Sequence, residues 1–409
     1  MSTDFKITIP DFVKKVILRL EAMGFEGFVV GGCVRDFCLN KVPLDWDVCT
    51  NATPDLMLKI FSDDFTVIPT GIKHGTVTVI SDGNKIEVTT YRSDGDYSDN
   101  RHPEYIKFLP TINGDLSRRD FTANAIAYND KVGFIDLFNG IDDIKNGILR
   151  TVGDASLRFS EDALRILRGL RFSAVCSFNI EDKTKKAILT SKNLLKSISA
   201  ERIYVELTKL LLAQHPSKIL IEYRDVFEVI IPEAFNTQSF NPDICKLIDK
   251  MPPNISVRFA VMLLCANNHC EILKRLRFDK LKQKHICTLI SNADMQLPTD
   301  RISVKKALNR FGPELLNDII DIYGIKSNNF DEMKSERENT KNIINQVINS
   351  AECYSLDMLA INGSELIKAG FEAGPYIGNT LNSLLTDVIE EKIENNSKIL
   401  INCAKKFLT

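Results

Sequence analysis

The chain of 409 residues is 44% hydrophobic and 26% charged, with a formal net charge of −2 at pH 7. This length exceeds the ~250 to 300 residues at which a single hydrophobic core divides, so we expect about two to four domains. The composition excludes a disordered or fibrous protein, and the net charge argues against a uniformly basic nucleic-acid binder while permitting local basic faces.

The N-terminal stretch "MSTDFKITIPDFVKKVILRLEAMGF" mixes charges through its apolar positions. It predicts an amphipathic first helix. No run approaches the ~18 apolar residues of a membrane span, so we expect a cytoplasmic protein without a membrane partner.

A short apolar strand, Phe28 to Val30, is the next predicted element, followed by Gly31 and Gly32 and a helix from about Cys33. Glycines at such a junction let a phosphate approach backbone N–H groups, and Arg35, one turn into the helix, adds a charged donor. From two glycines alone, however, a plain tight turn is the favoured interpretation.

Two aspartates separated by one residue follow in "LDWDVCT". On a strand, Asp45 and Asp47 would project from the same face, with Trp46 on the other. Like charges at that distance repel unless a cation lies between them, and Mg²⁺ binds carboxylate oxygens together with substrate phosphates. Glu87, with Ile86 and Val88 on the opposite face of its strand, is the candidate third carboxylate, although an exposed strand glutamate is an equal alternative.

Further strand signals are "FTVIPT", "GTVTVISDG", "KIEVTTYR" and "GFIDLF". From about Asn139 the pattern becomes helical, with apolar residues three and four apart. We therefore predict an α+β protein, in which a head with a mixed sheet and helices precedes a long helical remainder.

One predicted helix of that remainder, "EDALRILRGLRF", carries acids and arginines at helical spacing. Asp162, Arg165 and Arg168 would share a face, with Leu164 and Leu167 turned away. Taken alone, a ladder of salt bridges such as Glu161 to Arg165 is the preferred interpretation of this pattern.

A basic stretch and a group of metal-ligating residues lie further along the chain. Residues 271–285 hold six Lys or Arg against two acids, and Arg301, Lys305, Lys306 and Arg310 follow. A solvated helix face is the favoured interpretation.

The ten cysteines include no Cys-x-x-Cys pair and are expected to be reduced. We expect no structural zinc, since the local cluster lacks zinc-finger spacing; it consists of Cys265, His269, Cys270, His285 and Cys287.

Six ordered blocks resemble one family, the class II tRNA nucleotidyltransferases, which include CCA-adding enzymes and bacterial poly(A) polymerases. The blocks are "GGCVRD", "LDWDVCT", "RRDFTANAIA", "GIDDIKNGILRTVGD", "EDALRILRGLRF" and "SAERIYVEL". The segment 361–396 is similar to the C-terminal tRNA-binding region of the Bacillus-like CCA-adding branch. The resemblance implies a head like that of DNA polymerase beta at 1–140, a helical neck at 141–215, a helical body at 216–325 and a helical tail at 326–409.

The resemblance also implies roles for individual residues. The catalytic carboxylates would be Asp45, Asp47 and Glu87, with Mg²⁺ on Asp45 and Asp47. Asp120 and Asn124 would help to orient the sugar and the strand around it. The residues implied to bind nucleotide are Gly32, Arg35, Arg119, Asp162, Arg165, Arg168 and Arg171.

The base-reading role assigned to the neck helix has a physical basis. Cytosine and adenine each present an amine beside a ring acceptor, which a carboxylate and a guanidinium complement. Guanine and uracil present the reverse pattern. The expected partners are therefore CTP, ATP and the tRNA 3′ end, with the protein itself as template; no protein partner is evident.

Alternatives within and outside the family remain open. The segment 94–108 resembles the flexible loop that full CCA-adding members use to change from C to A, which counts against a CC-only enzyme but not against an A-adding or poly(A) enzyme. A catalytically inactive RNA-binding homologue is a further alternative, against which the intact acidic pair speaks. No His-Asp pair occurs in the sequence, so we expect no appended phosphohydrolase activity.

Overall fold

The computed structural model describes residues 6–69, 71–94 and 106–406. The chain divides into two compact units: Met1–Phe240 with Arg275–Arg277, and Asn241–Lys274 with Phe278–Thr409. The first unit holds the mixed sheet and the remainder is helical, which confirms the predicted α+β class. The finer division into four segments stays a prediction.

The strands all lie in the first 180 residues of the described chain. They are β1 (Phe28–Val30), β2 (Asp47–Thr50), β3 (Thr66–Ile68), β4 (Thr76–Ser81), β5 (Asn84–Thr90), β6 (Arg92–Asp94), β7 (Ile106–Phe108), β8 (Ile126–Asn129), β9 (Gly133–Asp136), β10 (Ile148–Leu149) and β11 (Asn179–Ile180). Seven of these form one sheet in the order β3-β4-β5-β2-β1-β8-β9. Within it, β2 and β5 are parallel and every other neighbouring pair is antiparallel.

Alternation along the central strands decides which face of the sheet is buried. Val77 and Val79 of β4 and Ile86 and Val88 of β5 are fully buried in one cluster of apolar residues. The intervening residues of β5, among them Glu87, point to the other face because successive side chains alternate. At β5 the sheet therefore buries one face and exposes polar side chains on the other, whereas β1, β2 and β8 are buried on both faces, the second against a separate apolar cluster that includes Tyr91 and Leu116.

The helices of the first unit surround this sheet and continue beyond it. They are α1 (Asp11–Ala22), α2 (Gly32–Cys38), α3 (Pro54–Phe61), α4 (Ile112–Ser117), α5 (Gly140–Lys145), α6 (Ala155–Glu161), α7 (Leu164–Cys176), α8 (Asp182–Ser191), α9 (Ala200–Leu211), α10 (Pro216–Glu222), α11 (Arg224–Ile230) and α12 (Pro232–Phe235). As expected from its charge pattern, α1 is amphipathic and buries Val13, Val16, Ile17 and Leu20.

The predicted neck helix is broken in two at Asp162, which corrects the expectation that Asp162 and Arg165 share one helix. α6 ends at Glu161, and Asp162 has an extended backbone with φ −140° and ψ 103°. Its carboxylate accepts a hydrogen bond from the N–H of Leu164 at 3.1 Å, at the start of α7. An aspartate that satisfies a backbone N–H in this way competes with helix continuation. Leu164 and Leu167 are buried, as predicted.

The second unit is helical throughout its described residues. Its helices are α13 (Pro242–Leu247), α14 (Ile255–Met262), α15 (His269–Arg275, whose last residue belongs to the first unit), α16 (Lys280–Ser291), α17 (Arg301–Phe311), α18 (Pro313–Ile322), α19 (Lys334–Asn349), α20 (Gly363–Lys368), α21 (Pro375–Ile389) and α22 (Ser397–Lys405). Among the described residues, no helix combines the length and apolar character needed to cross a lipid bilayer.

Two features of the second unit bear on the expectations from sequence. Cys270 and Cys287 form a disulfide between α15 and α16, so the expectation that all cysteines are reduced is wrong for this pair; the two residues are 17 apart in the chain but their Cα atoms are 5.8 Å apart. His269 lies beside them, its ring nitrogen within 4.8 Å of both sulfurs. Since both sulfurs are bonded to each other, this group offers no pair of thiolates to a metal.

Three basic residues of α17 form ion pairs. Lys305 is buried and contacts Glu391 at 2.9 Å, and Lys306 contacts Glu390 at 2.6 Å. Arg301 pairs with Glu352. Arg301 and Lys306 are exposed, as expected for a solvated helix face, whereas the buried Lys305 departs from that expectation.

Candidate active site

A cavity of about 920 Å³ in the first unit collects nearly all of the site residues proposed from the sequence. Those that line it are Gly32, Arg35, Asp45, Asp47, Arg119, Asp162, Arg165, Arg168 and Arg171. They come from α2, from β2 and the loop before it, from the turn after α4, and from α7 and the joint before it. α2 and α7 are separated by more than a hundred residues of chain. Glu87 is not among the lining residues and lies on the neighbouring strand.

The junction between β1 and α2 forms one wall of the cavity. The helix begins at Gly32, one residue before the predicted start. Gly31 has φ +79°, and a Cβ there would lie 2.9 Å from a guanidinium nitrogen of Arg119. Only glycine combines this backbone conformation with such close approach of a side chain. The turn therefore brings the arginine against the start of α2.

The acidic group lies at the start of β2. Asp47 is the first residue of the strand, whereas Asp45 precedes it, so the expectation that both lie on the strand is wrong. Trp46 is buried on the other side, as predicted. In the parallel pair of β2 and β5, Asp47 is the register partner of Glu87. The structure thus brings together the two strand carboxylates from positions 40 residues apart.

The surroundings of Asp47 disfavour its charged form. Although its side chain opens towards the cavity, the surrounding protein removes much of its hydration. This desolvation, with the negative charges of Glu87 and Asp45, raises the pKa of Asp47 to about 6, against an opposing effect of Arg119. A cation between these carboxylates would relieve the repulsion, and an all-oxygen set is the kind that Mg²⁺ prefers. The residues present therefore fit a divalent metal.

Arg119 is held in place by a residue that sequence reasoning missed. Asp115 is fully buried and accepts hydrogen bonds from Arg118 at 2.7 Å and Arg119 at 3.2 Å. Burial acts against the charged form of Arg119, but Asp115 outweighs it and raises the pKa of the guanidinium. The spacing of three and four residues in "DLSRRD" is a local signal that could have identified this support.

A chain of hydrogen bonds joins the head to α7 across the cavity. Arg35 donates to Asn124 at 2.7 Å, Asn124 donates to Asp120 at 3.1 Å, and Arg168 donates to Asp120 at 2.7 Å. Burial of Asp120 opposes ionisation, but the positive charge of Arg168 and the amide of Asn124 prevail and lower its pKa to about 2. The two arginines are therefore fixed relative to each other through Asn124 and Asp120.

Asp162 and Arg165 lie at the joint between α6 and α7, and each is already engaged. Asp162 accepts a hydrogen bond from Arg202 at 2.8 Å. Arg165 is buried and pairs with Glu161 at 2.6 Å, which is the salt bridge that its spacing allowed. It also donates to the carbonyl oxygen of Arg118 at 2.9 Å. The contact with Arg202 joins residues 40 apart, which no local pattern reveals.

Family models match in three segments: the Poly A polymerase head domain at residues 27–150, the RNA and SrmB-binding site of polymerase A at 177–236, and tRNA nucleotidyltransferase domain 2 at 254–404. The CCA-adding enzyme of Ligilactobacillus salivarius is 34% identical over 414 residues, covering 98% of each protein. That of Leuconostoc mesenteroides is 33% identical over 404 residues, covering 96% of this chain and 95% of the relative.

The chain belongs to the family of CCA-adding enzymes. The structure of the Bacillus stearothermophilus CCA-adding enzyme in complex with CTP is similar to it, with a TM-score of 0.80, 25% identity and 98% coverage of both chains. The fold also resembles that of the Thermotoga maritima CCA-adding enzyme solved with tRNA, with a TM-score of 0.64. The family resemblance inferred from the six sequence blocks is thereby confirmed.

One family feature expected from the sequence lies outside the described residues. The segment 94–108, compared above with the flexible loop of CCA-adding enzymes, includes residues 95–105, which the structure does not describe. The strands on either side, β6 and β7, pair with each other in antiparallel fashion. The proposed role of this loop in the change from C to A stays a prediction.

Proposed function

We propose that this protein is a tRNA nucleotidyltransferase that adds C, C and A to the tRNA 3′ end from CTP and ATP, without a nucleic-acid template and with release of pyrophosphate. The observation that carries the proposal is that Asp45 and Asp47 line the same cavity as a set of arginines, and that the pKa of Asp47 is raised. The names of the relatives and the CTP complex of the Bacillus enzyme support it. A tRNA substrate also favours a cytoplasmic location.

Asp45 and Asp47 are proposed to hold Mg²⁺, with Glu87 beside them. The support is the donor set itself, in which ionised Asp47 is disfavoured by the neighbouring acids until a cation is present. The chemistry that Mg²⁺ supplies when bound is charge neutralisation on the triphosphate and a lowered pKa for an attacking hydroxyl group.

The arginines are proposed to bind and orient the triphosphate. Arg35 and Arg168 are fixed by Asn124 and Asp120, so little conformational freedom is lost when phosphate oxygens arrive. Guanidinium groups placed in advance also stabilise the negative charge that accumulates on the departing pyrophosphate. Arg119, with its pKa raised by Asp115, remains positively charged beside Asp47.

Base choice is assigned to Asp162 and Arg165. Both oxygens of Asp162 already accept a hydrogen bond, from Leu164 N–H and from Arg202, which fixes the direction of the carboxylate. Each carboxylate oxygen has a second lone pair, so the amine of C or A can still be accepted. The carbonyl oxygen that G or U presents at that position would meet a carboxylate oxygen and be repelled.

The test of the proposed function uses tRNA transcripts ending before CCA, after C and after CC, each incubated with one nucleotide at a time. We expect C to be added to the first two and A to the third. Addition of A alone, or of long A tails, would contradict CCA addition in favour of the A-adding or poly(A) alternative. Absence of any transfer would support the inactive RNA-binding alternative.

A pair of variants tests the division between base and phosphate contacts. Asp162→Ala should reduce the preference for C and A over U and G, whereas Arg35→Ala should weaken incorporation of all nucleotides about equally, since phosphate contacts carry no base information. Incorporation efficiency with CTP, ATP, UTP and GTP measures both. An unchanged preference in Asp162→Ala would assign the α6–α7 joint a purely structural role.

A further inference from the structure

Phe172, on α7, contacts three arginines of the cavity through its ring. The guanidinium carbons of Arg171, Arg35 and Arg168 lie 3.9, 4.9 and 5.4 Å from the ring centroid. All three distances are within the ~6 Å over which a cation is attracted to an aromatic ring. Arg35 comes from α2, so one ring joins cations of two separate elements.

The ring itself is held firmly. Phe172 is 5% exposed, and Phe121 packs against it edge-on, with the ring centroids 5.9 Å apart and the planes at 76°. An edge-to-face pair of this kind has a preferred geometry. The position of Phe172 is therefore set by the core and not by the arginines.

The arginines have carboxylate partners as well, but these act differently from the ring. Asp36 pairs with Arg35, Asp120 with Arg168 and Glu206 with Arg171. A carboxylate cancels the charge that a triphosphate would otherwise attract. An aromatic ring attracts the cation through its quadrupole and leaves the net charge of the cavity unchanged.

The three arginines carry like charges, so their close packing is opposed by electrostatic repulsion. Burial, together with the neighbouring charge of Arg168, lowers the pKa of Arg171 although Glu206 opposes this. A neutral group that attracts several guanidinium groups at once offsets part of the repulsion. Leucine, which is apolar but has no aromatic ring, could not do so.

We propose that Phe172 is a positioning residue for nucleotide binding, whose ring holds Arg35, Arg168 and Arg171 together and ready for a triphosphate without neutralising them. This inference rests on the proposed function, because it assumes that the three arginines bind nucleotide. The role is distinct from that of an ordinary core residue, which depends on shape alone.

The experiment replaces Phe172 by tri- and pentafluorophenylalanine in the full-length protein, since fluorine withdraws charge from the ring face with little change of shape. We expect the dissociation constant for CTP and the KM for CTP and ATP to rise stepwise with fluorination, reaching about tenfold, while kcat and the KM for tRNA stay near the unmodified values. Phe172→Leu should reach at least the same loss.

The control is the same fluorinated series at Phe61, a fully buried head residue that packs edge-on against Phe65. CTP affinity should not change there. An unchanged CTP affinity across the Phe172 series would overturn the positioning role and leave only packing. A wild-type protein that binds CTP but transfers no nucleotide would overturn the proposed function alone, so the two failures are distinguishable.

Discussion

Asp47 and Asp120 line the same cavity, yet their acid–base equilibria are shifted in opposite directions. Burial disfavours the charged form of both carboxylates, but Glu87 adds to this effect at Asp47 and its pKa is raised, whereas Arg168 outweighs it at Asp120 and the pKa of Asp120 is lowered. Ionised Asp47 therefore destabilises the protein until a cation binds beside it, whereas ionised Asp120 stabilises the fold. The identity of the nearest charge decides the difference, not the residue type.

Asp47→Asn should abolish nucleotide transfer and stabilise the protein at neutral pH. Because the pKa of Asp47 is raised in the folded protein, this residue contributes to the free energy of unfolding in full below about pH 4. That contribution is lost as the pH rises through 6, where Asp47 ionises next to Glu87. Because the side chain is partly open to solvent, we expect a gain of about 1 kcal/mol at pH 7.5, or about 2 to 4 °C.

Thermal unfolding without divalent cations at pH 7.5 and pH 5 measures this effect. The advantage of the variant should shrink at pH 5, since the wild-type carboxyl is then mostly protonated. An advantage of the same size at both pH values would mean that ionisation of Asp47 is not its origin.

Asp120→Asn should have the opposite consequence for stability. The folded pKa of about 2 means that the stabilisation by Asp120 is complete above about pH 4 and is lost as pH falls towards 2. Removing the carboxylate leaves Arg168 without its buried partner, at a cost of about 2 to 3 kcal/mol at pH 7.

Urea unfolding of the two proteins from pH 7 to pH 3 tests this. The difference in free energy of unfolding should be roughly halved at pH 3. Asp142→Asn, at an exposed carboxylate 3.8 Å from Lys145, is the matched control and should change little. A loss for Asp120→Asn that is constant over the whole pH range would rule out the charge as its cause.

Among single elements, the broken helix at Asp162 marks the limit of what the sequence could predict. The spacing of Glu161 and Arg165 correctly indicated a salt bridge, because that pattern is local. The same spacing predicted a continuous helix, but Asp162 has an extended backbone and its carboxylate accepts a hydrogen bond from the N–H of Leu164, two residues further on. The partner of Asp162, Arg202, lies on another helix, which no periodicity in α7 could reveal.

The start of α5 offers a prediction at this scale, because Gly140 packs directly on the backbone that carries Asn124. A Cβ at Gly140 would lie 2.2 Å from the carbonyl oxygen of Thr122, in the 3₁₀ turn Thr122–Asn124. Gly140→Ala should therefore lower the free energy of unfolding by about 2 to 3 kcal/mol and raise the KM for nucleotides.

The matched substitution is Gly378→Ala in α21, where a Cβ would meet nothing within 4 Å. It should be neutral or stabilise by about 0.5 to 1 kcal/mol, since alanine is the better helix former. Chemical unfolding compares the two, and equal effects would show that crowding at Gly140 is relieved by local movement.

For the molecule as a whole, the change of periodicity near Asn139 was sufficient to predict the α+β class, and the six ordered sequence blocks indicated the family. The disulfide between Cys270 and Cys287 was not predictable, because it depends on two helices coming together and no sequence spacing encodes that. The same holds for the cavity, whose residues could be nominated from motifs, whereas the contacts of Arg171 with Glu206 and of Asp162 with Arg202 depend on the fold.

All residues that line the cavity belong to the first of the two compact units. Binding of CTP should therefore slow amide hydrogen exchange mainly there, at the β1–α2 junction and along α7, because a ligand stabilises the segments it contacts. Exchange followed by mass spectrometry with and without CTP makes the comparison. Protection of equal size in the second unit would place a nucleotide contact there.

The parallel pairing of β2 with β5 has a consequence for synthesis of the protein. Asp47 and Glu87 meet only when a strand 40 residues further along the chain is in place. Sequence-distant pairing of this kind forms late, because the intervening chain must be closed first. During translation, a growing polypeptide that exposes both aspartates but has not yet released β5 from the ribosome lacks the complete acidic site, so Asp47 and Glu87 are brought together only after β5 has emerged.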